Sequence, residues 1–269
     1  LTAAAEAATG IPAGHIVWSC SHTHSGPATV NYLPSTEPDP VDYAWRETLL
    51  ARFAECVRRA DAAKAPMRAR RARGYCCDLA HNRRLRYKDG REINTWLLHG
   101  GEEDVQAVGA AGPIDPEVGI VAFADDGGVR AVLYTFALHA NARWGSAFSG
   151  DYPAVVAARL RERYGPGVIT LFMPGACGDL NPIRPTREIG EALAETIIAR
   201  LDAGGRELTP VLGVRQRALC LPPRDVHLDS EDRLRAAQWA PREQAFFRDT
   251  QRDLRRLDPQ ALPARAAAF

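Results

Sequence analysis

Three short apolar runs stand out along the chain, and each stops at a polar cluster. Ile16-Val17-Trp18 leads into Ser21-His22-Thr23-His24-Ser25-Gly26-Pro27, and the run from Val132 to Leu138 leads into His139-Ala140-Asn141. Val168 to Met173 leads into a turn that closes with Gly178-Asp179-Leu180-Asn181-Pro182. Continuous apolar runs of this length, rich in β-branched and aromatic residues, predict strands covered on both faces. Between them the apolar spacing lengthens to three or four, which predicts helices. From Trp45 the positions Leu49, Leu50, Phe53, Val57 and Ala60 form one stripe, predicted to be buried. A second helix is predicted from Asp151, a candidate N-cap, to Tyr164, where Gly165 can supply a left-handed stop. A third starts near Thr186, carries Ile189, Leu193, Ile197 and Leu201 on one face, and ends before Gly204 and Gly205. The alanine-rich stretch from Thr2 to Thr9 reads as a further helix, stopped by Gly10 and Pro12.

One hairpin breaks the alternation of strands and helices. Val118 to Phe123 and Val129 to Phe136 flank Asp125-Asp126-Gly127-Gly128, residues suited to a tight turn, so part of the sheet should be antiparallel. The expected fold class is α/β, a mixed β-sheet layered with α-helices. In such sheets ligands sit beyond the carboxyl ends of the strands, and the polar clusters fall there. The polar, glycine-rich stretch from Tyr87 to Pro116 reads as a long loop bordering a cleft. Two helix-like segments, Ser230 to Trp239 and Arg242 to Leu257, follow on either side of Pro241. A single domain over residues 1–269 is expected, incomplete at both ends, since the chain opens without Met and ends on Ala-Ala-Ala-Phe269 with no closing element.

Composition narrows the function classes. With 269 residues, 46% of them apolar, the chain can bury a sizeable core. A net charge of +1 gives no global field to draw in nucleic acid, and the arginines at 68, 70, 71, 73, 83, 84 and 86 form only local groups, mostly solvated surface. No apolar run approaches the ~18 residues of a membrane span and no leader opens the chain, so it is expected to be soluble, with cytoplasm and export both open. Six cysteines without CxxC spacing are too few for a disulfide scaffold. Cys20 and Cys177 adjoin the polar clusters and are expected to line the site as small apolar side chains.

The sharpest chemical signal is His22-Thr23-His24. In an extended segment residues i and i+2 point to the same side, so both imidazoles can converge on one ion, and zinc takes neutral imidazole readily. Two polar loop histidines, or one buried and hydrogen-bonded, would give the same letters. His139 ends an apolar run, whereas His15, His81, His99 and His227 have no such setting, although His81 adjoins Asn82-Arg83. Asp151 can cap its helix or stand at an anion-favouring helix start. Asp179 can orient a histidine or stabilise its own turn, and the glycines of that turn can aim backbone donors at an oxyanion.

The ordered set Ser21-His22-Thr23-His24-Ser25-Gly26-Pro27, Asn82-Arg83, His139, Ser149-Gly150-Asp151-Tyr152-Pro153 and Gly178-Asp179-Leu180-Asn181-Pro182 resembles the catalytic domain of neutral/alkaline non-lysosomal ceramidases and their shorter bacterial relatives. The resemblance spans about Ile11 to Pro182. It implies that His22 and His139 bind one Zn2+, that His24 lies beside the metal and reaches the substrate, and that Arg83 contributes to the site. Asn181 stands where that family's amidases carry an active-site serine, so a hydroxyl role is lost there. The family's remaining ligands, a glutamate and a tyrosine, have no match between Ile183 and Phe269, and weak, substoichiometric zinc binding is therefore expected.

The expectation is zinc-dependent hydrolysis of an N-acyl or lipid-like amide. Its candidate catalytic residues are His24, Arg83 and Asn181, and its candidate substrate-binding residues are Asn82, Asn141, Asp151 and Asp179. Two rivals remain. Another metallohydrolase would need the HxHxDH motif, which Ser25-Gly26-Pro27 replaces, or a barrel with more strand-helix repeats. A non-catalytic descendant would keep the fold as a binding module. All of this requires the rings of His22 and His139 to fall within about 8 Å of each other.

Overall fold

The computed structural model describes residues 1–29, 41–94, 107–143, 147–209 and 211–217. In chain order the elements are α1 (Thr2–Thr9), α2 (Tyr43–Ala62), β1 (Arg68–Tyr75), β2 (Ala80–Asn82), β3 (Arg84–Tyr87), β4 (Glu92–Asn94) and β5 (Ala107–Ala110). Then follow β6 (Glu117–Asp125), β7 (Gly128–Phe136), α3 (Asp151–Tyr164), β8 (Ile169–Pro174), β9 (Leu180–Pro182), α4 (Thr186–Asp202) and β10 (Arg206–Glu207). The chain divides into two compact units. One joins Thr2–Gly26 to Val57–Gly213 and holds every sheet; the other joins Leu1, Pro27–Cys56 and Val214–Phe269. In the second unit Asp42 Oδ1 accepts the Trp45 N–H at 2.9 Å, starting α2.

The main sheet has five strands in the order β10-β1-β6-β7-β8. Its pairs are antiparallel except β7 with β8, so the predicted mixed sheet is present. The β6–β7 hairpin closes where Asp125-Asp126-Gly127-Gly128 predicts it, with Asp125 opposite Gly128. The chain leaves β7, crosses through α3 and returns in parallel as β8, as a parallel pair requires. A short ladder pairs β2 with β9, and a three-stranded sheet has the order β4-β3-β5.

Side-chain alternation sets the core. Val118, Ile120 and Ala122 of β6 and Val132, Tyr134 and Phe136 of β7 point to one face, all buried. Val156 and Leu160 of α3 and Ile189, Leu193 and Ile197 of α4 pack into the same cluster. Each large aliphatic side chain buried there stabilises the fold by about 1.5–3 kcal/mol relative to exposure. Helices α3 and α4 span their predicted ranges, and Gly165 ends α3 at φ +104°, a region where a Cβ is strained.

Several expectations do not hold. The edge strand β8 is not covered on both faces among the described residues: Ile169 and Leu171 are 58% and 55% exposed, while the same face of β6 and β7 is half-buried. Ile16-Val17-Trp18 is not a strand. It follows a single 3-10 turn, Ala13–His15, pairs with no strand, and leaves Val17 76% exposed. Three residues without a partner ladder cannot hold strand geometry. Helix α2 forms, but no residue in it is buried, so its apolar stripe is not a core face here. Asp151 is not the N-cap; Gly150 takes that place and Asp151 begins the helix at φ +53°. The stretch from Tyr87 to Pro116 is not one long loop, since β4 and β5 flank β3 there, although residues 95–106 lie outside the described ones. The segments Ser230 to Trp239 and Arg242 to Leu257 also lie outside the described residues. Cys20 is exposed rather than buried against a site. The arginines of β1 are exposed, as expected of solvated surface. Among the described residues, no helix is long and apolar enough to cross a membrane.

Candidate metal centre

His139 lies three residues beyond β7, at the strand's carboxyl end, and is 6% exposed. Its Nδ1 lies 3.0 Å from the Leu180 carbonyl oxygen. A carbonyl only accepts, so Nδ1 carries the proton and Nε2 keeps its lone pair for a ligand. Leu180 belongs to β9, where it pairs with Asn82 of β2. The short ladder thus aims His139 and carries Asn82-Arg83 beside it. Gly175, after β8, donates its N–H to the Phe136 carbonyl at 3.0 Å. A Cβ on Gly175 would sit 3.1 Å from the Ala137 backbone, so glycine lets this turn lie against the segment that carries His139.

The first motif arrives by polar strapping rather than by a strand. The His24 N–H donates to the Ala140 carbonyl at 3.0 Å, directly after His139. The Thr23 hydroxyl donates to the Ser149 carbonyl at 2.7 Å, and the Ser149 N–H donates back to the Ser25 carbonyl at 2.8 Å. His22 stands at φ +58°, so the segment is kinked, not extended. The imidazoles nevertheless converge. The ring centroids of His22 and His139 are 4.7 Å apart, and those of His22 and His24 are 4.9 Å apart. One ligand nitrogen from each of the three histidines lies within 4.8 Å of the others.

Electrostatics favours the neutral form of these rings. Burial lowers the pKa of His22, and the Arg83 charge adds to it. Burial also lowers His24 most, followed by repulsion from His22 and His139, against a weaker opposing pull from Asp151. For His139 burial outweighs the stabilising contact with Leu180. All three are thereby shifted toward the neutral form, the state in which imidazole binds metal.

The remaining candidates take definite places. Asn82 Nδ2 donates to Asp179 Oδ2 at 2.8 Å, and the Arg83 N–H donates to the Asp179 carbonyl at 2.7 Å. Asp179 therefore holds the Asn82-Arg83 turn, while the Leu180 carbonyl orients the histidine. The Asp151 carboxylate accepts the N–H groups of Tyr152 at 2.6 Å and Arg143 at 3.0 Å, closing the segment after His139. Asn141 and Asn181 are 5% and 7% exposed, and each side-chain oxygen is buried with no hydrogen-bond partner among the described residues. In the turn after β8, two of the prospective oxyanion donors are already engaged, because Gly175 donates to Phe136 and Leu180 to Cys177. The orienting carbonyl of Leu180 leaves no mark in a sequence, since every residue has one. The strap left a trace in the hydroxyl of Thr23, while Ser25 and Ser149 join it through their backbones.

These features define a class: an α/β chain with a mixed sheet and a histidine trio just past the carboxyl end of one strand. Solved structures make the likeness more specific. The chain superposes on the crystal structure of neutral ceramidase from Pseudomonas aeruginosa with a TM-score of 0.50 and 18% identity, covering 69% of this chain and 31% of that one. A ceramidase complexed with C2 gives a TM-score of 0.53 at 18% identity, covering 70% of this chain and 31% of that one. The fold is thus that of part of the ceramidase structures, and this chain spans under a third of their length. No protein-family model matches the sequence, and no curated protein matches it.

Proposed function

We propose that this chain carries the metal-binding part of a zinc-dependent hydrolase acting on amide bonds of N-acyl, ceramide-like substrates. The observation that carries the reading is the convergence of His22, His24 and His139 in a fold shared with ceramidases. The donor set fits zinc, because neutral imidazole nitrogens suit zinc and not the hard cations magnesium or calcium. His22 and His139 hold the ion, and His24 presents a third imidazole to the same space. The chemistry such an ion supplies when bound is Lewis acidity, which polarises a carbonyl and brings the pKa of a water to about 7.

The other residues position and stabilise. The charge of Arg83, felt by all three histidines, stabilises negative charge developing on the carbonyl oxygen. Among the described residues the side-chain oxygens of Asn141 and Asn181 have no donor, and a substrate N–H or hydroxyl supplies one. Asn82 and Asp179 join side chain to side chain while the Asp179 carbonyl accepts the Arg83 N–H, and Asp151 accepts two backbone N–H groups, so together they fix the turns that carry Arg83 and follow His139.

A second reading, a binding module that has lost catalysis, draws on Asn181 at the position where the resembling amidases carry serine. A single assay separates the two. Zinc-loaded protein should release fatty acid from a fluorescent N-acyl sphingoid amide, with His22→Ala and His139→Ala each slowing it by 100-fold or more. If no amide or ester is cleaved while His22→Ala still binds the N-acyl ligand with full affinity, the binding-module reading takes over.

A further inference from the structure

We infer that the outer face of the main sheet is a second ligand site and that it takes a fatty carboxylate, with the alkyl chain across β6, β7 and β8 and the headgroup at the arginines of β1 and β10. Strand register sets which side chains meet there. Helices α3 and α4 pack on the opposite face, in one cluster with Val118, Ile120, Val132 and Tyr134. The alternate residues of each strand point away from that core. One row crosses all five strands as Arg206, Arg71, Val121, Leu133 and Leu171. The next row reads Arg73, Gly119, Thr135 and Met173. Each row starts with arginine at the β1 side and ends on an apolar side chain of β8, where Leu171 is exposed and Met173 half-buried.

Gly119 interrupts the second row. With no side chain there, the surface sinks into a hollow of about 250 Å³ walled by Arg71, Arg73, Val121, Leu133 and Met173. A Cβ at 119 would stand 2.8 Å from the Thr135 methyl carbon, so the gap requires glycine. Same-face residues along a strand repeat every ~6.6 Å, and one missing side chain leaves a gap of about that width. It admits a single alkyl chain and is too narrow for an α-helix about 10–12 Å across. Charge selects the headgroup. Arg73 is tied to Glu117 at 3.5 Å, whereas Arg71 and Arg206 are exposed and have no ion-pair partner among the described residues. Three arginines against one glutamate favour an anion, and a guanidinium meets a carboxylate through two parallel hydrogen bonds. A second copy of this chain would bring the same excess of arginine, so like charges oppose a face-to-face dimer. None of the residues lining the hollow belongs to the metal centre, so this site stands or falls apart from the hydrolase reading.

The test titrates the whole chain, stripped of metal, with octanoate, decanoate and dodecanoate below their micelle-forming concentrations, read by calorimetry. One carboxylate per chain is expected, with affinity rising about fourfold per added methylene until the hollow is full. Decanol should bind about tenfold more weakly than decanoate, and Arg71→Gln should lose about tenfold in affinity for decanoate while binding decanol as the parent does. In the unmutated protein, decanoate should shift the methyl NMR resonances of Val121, Leu133 and Leu171 and leave the imidazole resonances of His22, His24 and His139 in place, a readout that does not depend on any variant folding. If the imidazoles shift and the methyl groups do not, the carboxylate occupies the cleft at the metal centre and the outer-face site is wrong. Equal affinities for decanoate and decanol, or an Arg71→Gln protein that binds decanoate as tightly as the parent, would overturn the charge recognition. A dimer in sedimentation that Leu171→Glu abolishes, with no carboxylate bound by the parent, would make this face a self-association surface instead.

Discussion

His139 and His22 reach the same point by different means. His139 follows a buried strand, sits over the main core, and has its ring locked by the Leu180 carbonyl. His22 is exposed, lies in no strand or helix, and is held in a left-handed kink by bonds from its neighbours to residues 140 and 149. One ring is placed by apolar burial and the other by a polar strap. The core fixes one half of the site, and the second half is only as rigid as a few hydrogen bonds, each worth about 0.5–1.5 kcal/mol net.

The largest effect should come from attacking the core under His139. Leu193→Ala removes a fully buried side chain of α4 and should cost about 2–5 kcal/mol in urea unfolding. Next is the anchor of the strand's end. The Tyr152 hydroxyl donates to the Leu138 carbonyl at 2.7 Å, adjacent to His139, so Tyr152→Phe should cost about 1–3 kcal/mol by leaving that carbonyl unpaired in the interior. Loss of metal affinity should accompany it, since the carbonyl belongs to the residue before His139. On the strap side the effects are smaller. In metal-free protein His22→Gly should be more stable than His22→Ala by about 1 kcal/mol, because only glycine accepts φ +58° freely. Equal stabilities would mean that the kink is not a feature of the folded protein.

Acid should expose the same asymmetry most gently. The pKa values of His22, His24 and His139 lie below 6.5 in the fold, so below pH 6.5 the unfolded chain binds protons that the folded chain refuses. Stability of the metal-free protein should therefore be flat above pH 6.5 and fall as pH drops toward the folded values. Replacing the three histidines with glutamine should remove that slope; an unchanged slope would place the titrating groups elsewhere.

The sequence made helices α3 and α4 legible because spacing, Gly165 and the paired Gly204-Gly205 agree with one another. The β6–β7 hairpin was legible through its Asp-Asp-Gly-Gly turn. Strand β1 was hidden because its arginines alternate with alanine and glycine, and pairing with β6 rather than its own hydrophobicity makes it a strand. The three- and four-residue strands β2, β3, β4, β5 and β9 carry too few residues for a period to show. At the site, the sequence singles out His22, His24 and His139, which the fold brings together, but not the geometry that does so. His22 and His24 were expected on one side of an extended segment, whereas a kink joins them. The orientation of His139 depends on a main-chain carbonyl 41 residues away, which no side-chain pattern encodes.

His22 and His139 are expected to share one ion. Anomalous diffraction from crystals grown with zinc, recorded on both sides of the zinc absorption edge, tests it most directly. A single strong peak is expected about 2.0–2.1 Å from Nε2 of both residues. A zinc peak that avoids either ring, at full occupancy elsewhere on the chain, would contradict it.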